Sequence, residues 1–544
     1  MPVRSLSQSS FFDPQFICPD CLEPGTVAWL LATHRSLLFP AWLLKGWRGE
    51  GRLGRDAWPA VVLMTLALLR WTETGMSRLA AERRAKTDIV WRAAAGINFR
   101  VPPPSERTMR DFEKFLSGRH PDCNVPRYFL FLGHIARLCL QNGVVTKPDW
   151  VTDSTPMWCY GATLGTIRML GDGTGITLRA WARATGQSWR LLAKELDLPW
   201  VTAKSTKGSF DVVDWKDMSE RARVVTELAE GAVRLVGLIR TNIGTVKPKR
   251  RGRLLRHCRT LLKIIEDDLE PAVGGGLVVA QRVVRGRIVS FMDPHAQHGR
   301  KSKSKKFKGF KMHILGDAIS GLIAAVCVTP AGVHDSEPSP RLLKQAKELI
   351  TKLDRLYGDT AYGTGRNRRL VEGLLGVTLI APPLPAVGSR SGRFCKADFE
   401  IDVDADKILC PAGKPSDGQT WHKGNRGMKQ RVHWWAAKTC RGCPKFDACR
   451  TDTNLRRTIK LETYEKEIHA ARAAWKDPDV RLDYRRRSPG ERLVNSMTRR
   501  GGRTAAAWGL DTANLQAHLI ASVVNLRLLA EALARARPIR AQAA

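Results

Sequence analysis

Two short apolar runs, far apart in the chain, each carry the backbone into an aspartate. The first is WVTDST, with Asp153, and the second is RLYGDTAYG, with Asp359. Both read as strands by their β-branched and aromatic content. Long helical stretches lie between them, among them SERARVVTELAEGAVRLVGLIR and RTLLKIIEDDLE. This alternation calls for an α/β fold in which segments distant in sequence become neighbouring strands, covered by helices. The 544 residues allow about three or four domains at roughly 100–200 residues each.

The other segments fit around these strands. FKGFKMHILGD and GLIAAVCVTP are apolar strands flanking a turn at Asp317–Gly321, a hairpin by sequence. RLLKQAKELI is an amphipathic helix. Residues 1–145 read as mainly helical. Val61, Val62, Leu63, Leu66, Leu68 and Leu69 form an apolar core segment, and Ser77 and Ser105 are candidate N-caps. The helix after Ser105 would bury Met109, Phe112, Phe115 and Leu116. Two short helices with basic flanks suit a helix-turn-helix-like DNA reader, and a small helical bundle looks similar. Residues 380–455 are rich in Pro, Gly and Cys and read as an insertion. From 462 onward helices return, ending in the apolar stripe Leu515, Leu519, Val523, Leu526, Leu529 and Ala530.

Charge narrows the partner. There are 89 Lys+Arg against 52 Asp+Glu, a formal net charge of +37. So much like charge repels itself in the folded state, and a polyanion relieves it. Double-stranded DNA, which releases counterions on binding, fits better than an anionic membrane. The basic residues are spread along the chain, with no polybasic tail beside an apolar anchor. The longest apolar run, Ala57 to Leu69, is too short for a bilayer and is interrupted by Pro59. No secretory signal is visible, so a cytoplasmic chain with twelve reduced cysteines is expected. The densest basic stretch, RKSKSKKFKGFK, sets Arg300, Lys301, Lys303, Lys305, Lys306, Lys308 and Lys311 around Phe307 and Phe310. Its cations would track phosphates, and its rings would anchor the strand or stack on bases.

Phosphodiester chemistry uses hard cations held by oxygen ligands. A fold supplies such a site by ending neighbouring strands in Asp and adding a carboxylate from a helix. Glu491, in YRRRSPGERLVNSM, is the third candidate, with Pro489 at the opening turn of its helix. Spacing alone does not separate this reading from acids that cap strand ends and helix starts.

The string around Glu491 resembles the Y-R-E-K signature of bacterial insertion-sequence transposases of the DDE class. Tyr484, Arg487 and Glu491 stand in register, while Thr498 occupies the Lys position, followed by Arg499 and Arg500. VTDST, DPHAQHGRKSKSKKFKGFKMHI, VTPAGVHDSEP, YGDTAYG and CPAG…CRGCPKFDAC resemble further segments of that family, in the same order. The resemblance implies an RNase H-like catalytic core, a mixed five-stranded sheet with flanking helices. It also implies a helical N-terminal DNA-binding domain and a Cys-rich insertion. The corresponding boundaries are 1–145 for the helical region and 146–390 for the first part of the core, with a helical insertion at about 160–280. The Cys-rich insertion takes 391–455, and 456–535 returns to the core with Glu491.

On this resemblance Asp153, Asp359 and Glu491 hold two Mg²⁺ or Mn²⁺ ions, and Tyr484, Arg487 and Arg499 contact DNA. The implied activity is cleavage at transposon ends and strand transfer into target DNA, by a homodimer at the nucleoid. The alternatives are a non-catalytic or decayed DNA-binding protein, or a metal nuclease that does not join strands. His334 and Asp335 match the family's His-Asp turn. Either Asp335 or Ser336 caps the next helix, or the turn borders the metal site.

Cys410, Cys440, Cys443 and Cys449 share one segment, and Cys440-x2-Cys443 has a spacing suited to tetrahedral zinc. Cys410, His422 or His433 could complete a structural Zn²⁺ site. Unligated thiols are the other reading. Cys18-x2-Cys21 is a lone pair and a weaker metal signal.

Overall fold

The computed structural model describes residues 13–47, 57–161, 163–210, 212–273, 275–281, 284, 286–301, 304–350, 352–384, 393–423, 429–449 and 456–536. Its strands, in chain order, are β1 (Trp150–Trp158), β2 (Leu269–Pro271), β3 (Leu277–Val279), β4 (Gln297–Arg300), β5 (Lys306–Asp317) and β6 (Ile323–Pro330). Then come β7 (Arg355–Tyr357), β8 (Thr378–Ile380), β9 (Glu400–Asp402), β10 (Lys407–Leu409), β11 (Gly418–Lys423), β12 (Lys429–Trp435) and β13 (Arg457–Glu462).

The central sheet runs β6-β5-β1-β7-β8, with β4 paired to the first residues of β5. β1 is antiparallel to β5 over nine positions and parallel to β7, and β8 continues parallel to β7. This curled mixed sheet is consistent with an RNase H-like core. β5 and β6 form the expected hairpin. Contrary to the expectation that Asp153 ends its strand, β1 continues five residues beyond it to Trp158. Pairing with β5 holds that extension, because Gly309 lets β5 approach the backbone of residues 157–159.

One hydrophobic core joins the sheet, the N-terminal helices and the last helix. Of the N-terminal helices, Arg127–Gln141, which carries Phe131, packs on β6, while those carrying Trp29, Leu63 and Phe112 pack on the last helix. Ser77 and Ser105 cap as expected, accepting from the amides of Ala80 and Thr108. The helix after Ser105 buries Met109, Phe112 and Leu116, while Phe115 is half-buried. Glu113 of this helix is buried and paired with both Arg70 and Arg78. A buried carboxylate survives only when neutralised in this way.

The helix Leu510–Ala536 is long and apolar enough to cross a membrane by length and composition, but two-thirds of its apolar window is buried in the protein. It lies along β6, where Asn525 accepts from the Ile323 amide (2.9 Å) and donates to the Ile323 carbonyl (2.8 Å). Asn514 does the same at Val328, at 2.9 and 3.3 Å. Eleven helical residues rise about 16 Å, and five strand residues span about 17 Å. The two asparagines therefore match the free edge of β6 and satisfy polar groups that an edge strand would expose.

The segment between β1 and β4 folds around a second core, built from Leu170, Trp181, Trp200, Leu228, Leu235 and Leu261 among others. Its long helices are Thr166–Thr185, Met218–Asn242 and Pro248–Asp268, followed by the β2–β3 hairpin. The cysteine-rich part forms a third, much smaller core of Phe399, Ile408, Trp435, Ile459 and Leu461. β13, beyond residue 455, pairs with β12 and completes its three-stranded sheet.

Candidate active site

Sheet register brings the two aspartates together. β1 and β7 pair in parallel at Val151 and Tyr357. Two residues further on, each strand path reaches its acid, Asp153 or Asp359. Asp153 lies within β1 and Asp359 in the turn just past β7, and the two line one cleft, near enough for the charge of Asp359 to act on Asp153. Beyond β7 the Asp359 carboxylate accepts from the Ala361 amide at 2.9 Å, which fixes the turn.

Glu491 reaches the cleft from a helix packed on β1. It opens the helix Glu491–Met497, directly after a 3-10 turn at Arg485–Gly490 that contains Pro489. Gly490 rests on β1: a Cβ there would stand 2.7 Å from Val151 Cγ1. Only a glycine allows this approach. Flanking ion pairs fix the segment to both aspartate strands. Asp483 accepts from Arg355 (3.2 Å) and from the Tyr357 hydroxyl (3.1 Å), and Arg486 pairs with Asp149 at 3.0 Å.

Asp153, Asp359 and Glu491 line one cleft of about 480 Å³. Arg487, the middle member of the tyrosine–arginine–glutamate register, places Nη2 3.1 Å from Asp153 Oδ2. The Ser154 amide donates to the other oxygen at 2.7 Å. Burial pushes the Asp153 carboxyl above its ordinary value. Arg487 opposes that shift, and the charges of Asp359 and Asp335 add to it. Burial also raises the Tyr484 hydroxyl; Arg487 opposes this, and Asp359 adds to it. The Tyr484 ring packs edge-on against Trp475 at 5.1 Å.

Asp335 is a fourth acid in the cleft. The capping expectation for Asp335 and Ser336 fails, because the next helix, Ser339–Lys347, has Pro338 at its start and no side-chain cap. Asp335 instead takes an ion pair from Lys311 at 2.7 Å, and Lys311 also donates to the Val333 carbonyl. A lysine so engaged is tied to the protein.

The remaining basic residues divide by position. Arg300 and Lys301 line the cleft. Lys305 and Lys306 are exposed on the β4–β5 hairpin, and Lys308 donates to Thr163 at 3.3 Å. Lys303 lies outside the described residues. The two phenylalanines anchor: Phe310 is fully buried, and Phe307 is buried against Trp158 while bordering the cleft. Thr498, at the signature's Lys position, lines the cleft and donates to the Asn495 carbonyl. Arg499 is exposed and does not line it. Arg500 is half-buried and bonds the Ser496 carbonyl. The cation near Thr498 is Arg503, which sequence reasoning missed. Its position follows from residues 503–505 docking on the end of β1. There the Trp158 amide donates to the Arg503 carbonyl (2.7 Å), and the Ala505 amide to that of Trp158 (2.8 Å).

Among the described residues, no three His, Cys, Asp or Glu side chains stand close enough together to hold a metal ion. Protein cations occupy two of the acids instead, Arg487 on Asp153 and Lys311 on Asp335. Mg²⁺ commonly uses only one or two carboxylates, keeping water and substrate phosphate as its other ligands. The oxygen-only donor set and the crowding of negative charge at Asp153 fit such an ion.

Cys410, Cys440, Cys443 and Cys449 line a second, small cavity of about 30 Å³, walled by Phe394, Trp435 and Phe446. None of the twelve cysteines forms a disulfide. His433 is already engaged with Asp406 and Ser416, and His422 bonds Thr420 on an exposed strand. Neither histidine borders the cavity. Cys18 and Cys21 face one another across a single 3-10 turn.

Comparison with known proteins adds one finding. Residues 409–530 match the family described as Transposase DDE domain. The match covers the four-cysteine segment and Glu491 and stops short of Asp153 and Asp359. No curated protein and no solved structure matches the chain. A transposase-type segment thus carries Glu491 into the cleft of a mixed sheet beside Asp153 and Asp359, which supports a DDE-type transposase, an enzyme of the polynucleotidyl transferase class, with DNA as its partner.

Proposed function

We propose that this protein cleaves DNA at transposon ends and joins the freed ends to target DNA, using Asp153, Asp359 and Glu491 to hold Mg²⁺ or Mn²⁺. The observation that carries the reading is the convergence of these acids, from a strand, the turn after its parallel neighbour and a helix, on a single basic-rimmed cleft. Bound divalent ions there supply Lewis acidity for the attacking water or 3′-hydroxyl and charge for the leaving oxygen. The protein's own contribution is position and electrostatics. Arg300, Lys301 and Arg503 face phosphates at the cleft rim, and Lys305 and Lys306 extend the contact along the exposed hairpin. Tyr484, braced by Trp475, holds the side of the cleft beside Asp359. Arg499 takes phosphate outside the cleft. Two copies bring two ends together, and the four cysteines that line one cavity draw together around a structural Zn²⁺.

The test is a duplex carrying the element's ends, incubated with Mg²⁺ and the wild type or Asp153→Ala, Asp359→Ala or Glu491→Ala. Joined products from the wild type, and DNA binding without products from each variant, are expected. Cleavage without joining would make the protein a nuclease. Binding without cleavage by the wild type would make it a DNA-binding protein. Variants that cut like the wild type would place the chemistry elsewhere.

A further inference from the structure

Among the described residues, Asp153 is the only one of the three acids in an ion pair. Its partner, Arg487, uses its fork incompletely. Nη2 reaches Asp153 Oδ2 at 3.1 Å, while Nε is buried without a hydrogen-bond partner. A guanidinium fork is suited to bidentate acceptors such as phosphate. Both side chains are near the cleft surface, at 20% and 17% exposure, and Arg487 sits on a short 3-10 turn rather than in the core. Arg487 covers one oxygen of Asp153 and the Ser154 amide engages the other, and a guanidinium and a divalent ion cannot share one carboxylate without repulsion.

We propose that Asp153 alternates between Arg487 and the divalent cation, and that the released Arg487 takes a phosphate of the bound DNA. This rests on the reading of Asp153 as a metal ligand. Arg487 is then a substrate-positioning residue stored on a ligand, and it keeps the site electrically balanced until substrate arrives. Metal and DNA binding strengthen one another, by equal factors in either order. Free protein binds the cation weakly, and protein without the cation binds DNA ends weakly.

The exchange predicts a gain of affinity in each of two variants, one for the cation and one for DNA. Without DNA, Mn²⁺ binding measured by electron paramagnetic resonance should tighten roughly tenfold in Arg487→Gln, a factor within the usual range of site coupling. In EDTA, fluorescence anisotropy should show Asp153→Asn binding a transposon-end duplex roughly tenfold more tightly than the wild type. That gain should vanish in the double variant, because it depends on a freed Arg487. Arg487→Met provides the same test should Arg487→Gln fold poorly. If Mn²⁺ affinity falls or stays constant in Arg487→Gln, Arg487 merely orients Asp153 and the exchange is wrong. If the DNA gain persists in the double variant, it reflects general charge removal and the exchange is again wrong. If the Mn²⁺ gain of Arg487→Gln persists when Asp153→Asn is added, Asp153 is no ligand, and the metal reading falls together with the exchange.

Discussion

The acid cleft and the cysteine cavity both gather ionisable side chains from separate segments, but they are built in opposite ways. The acids sit on the largest core of the molecule, placed by strand register and by a helix docked through Gly490. The cleft is wide, and protein cations already balance part of its charge. The thiols come from one short stretch, 410–449, on a core of five buried residues. Their cavity is small and walled by rings. A site on a large core keeps its shape without its ligand, whereas a unit with so few buried apolar groups depends on whatever ties it together. The cleft should therefore lose function without losing fold when its acids are removed, and the cysteine unit should lose fold.

The largest expected effect lies in the cleft. Asp153→Ala, Asp359→Ala and Glu491→Ala should each lower strand cleavage by about a hundred- to a thousandfold, a typical loss for an electrostatic group at a reacting centre. Thermal unfolding should stay cooperative, and an unfolded variant would break the comparison from the cleft side. Next comes Cys440→Ser with Cys443→Ser. The wild type should carry zinc by elemental analysis, and the double variant should carry none and be cut rapidly by protease between 393 and 462. A zinc-free wild type that resists protease there would break the comparison from the other side.

Gly490→Ala sharpens it. The added methyl meets Val151, so the helix bearing Glu491 must shift, at about 1–3 kcal/mol by the usual cost of overpacking. Misplacing a catalytic group by about 1 Å can cost roughly a hundredfold in rate, so kcat should fall much more than denaturant stability suggests. Asn525→Ala leaves both polar groups of Ile323 unpaired, at about 1–3 kcal/mol. It should lower the unfolding midpoint of the sheet core while leaving protease sensitivity at 393–462 unchanged.

The smallest effect is with pH. Burial holds His313 and His518 down to about 4, against an ordinary value of 6.5. Above pH 6.5 neither state takes up a proton at these rings. Between 6.5 and 4 the unfolded chain protonates them and the folded chain does not, so stability falls on acidification. The slope is at most about 1.4 kcal/mol per pH unit for each ring. Both rings belong to the scaffold of the cleft, so His313→Asn should flatten the acid loss of the sheet core. An unchanged slope would remove His313 from that account.

Much of the architecture was legible before the structure. The β5–β6 hairpin, the helix after Ser105 and the last helix follow from apolar periodicity and caps, which are local properties. The acids were legible only because their surroundings resembled a known signature, since their spacing says nothing of distance. What was missed has a common cause. Asp335 read as a cap or as a border of the site, and the structure sets it in the cleft against Lys311, more than twenty residues before it. Arg503 carries no motif, and its place in the cleft comes from hydrogen bonds to the far end of β1. Asp153 was expected at a strand end, and pairing with β5 extended the strand past it.

The sequence by itself determined which segments form strands and helices, the excess of positive charge, and the presence of a tyrosine, an arginine and a glutamate in register. Those are written in side-chain period and composition. Tertiary structure alone decided that Val151 pairs with Tyr357, which puts Asp153 beside Asp359, and that Arg487 rests on Asp153 rather than in solvent. Register and ion pairing between remote segments depend on how the cores pack, and no local pattern encodes that.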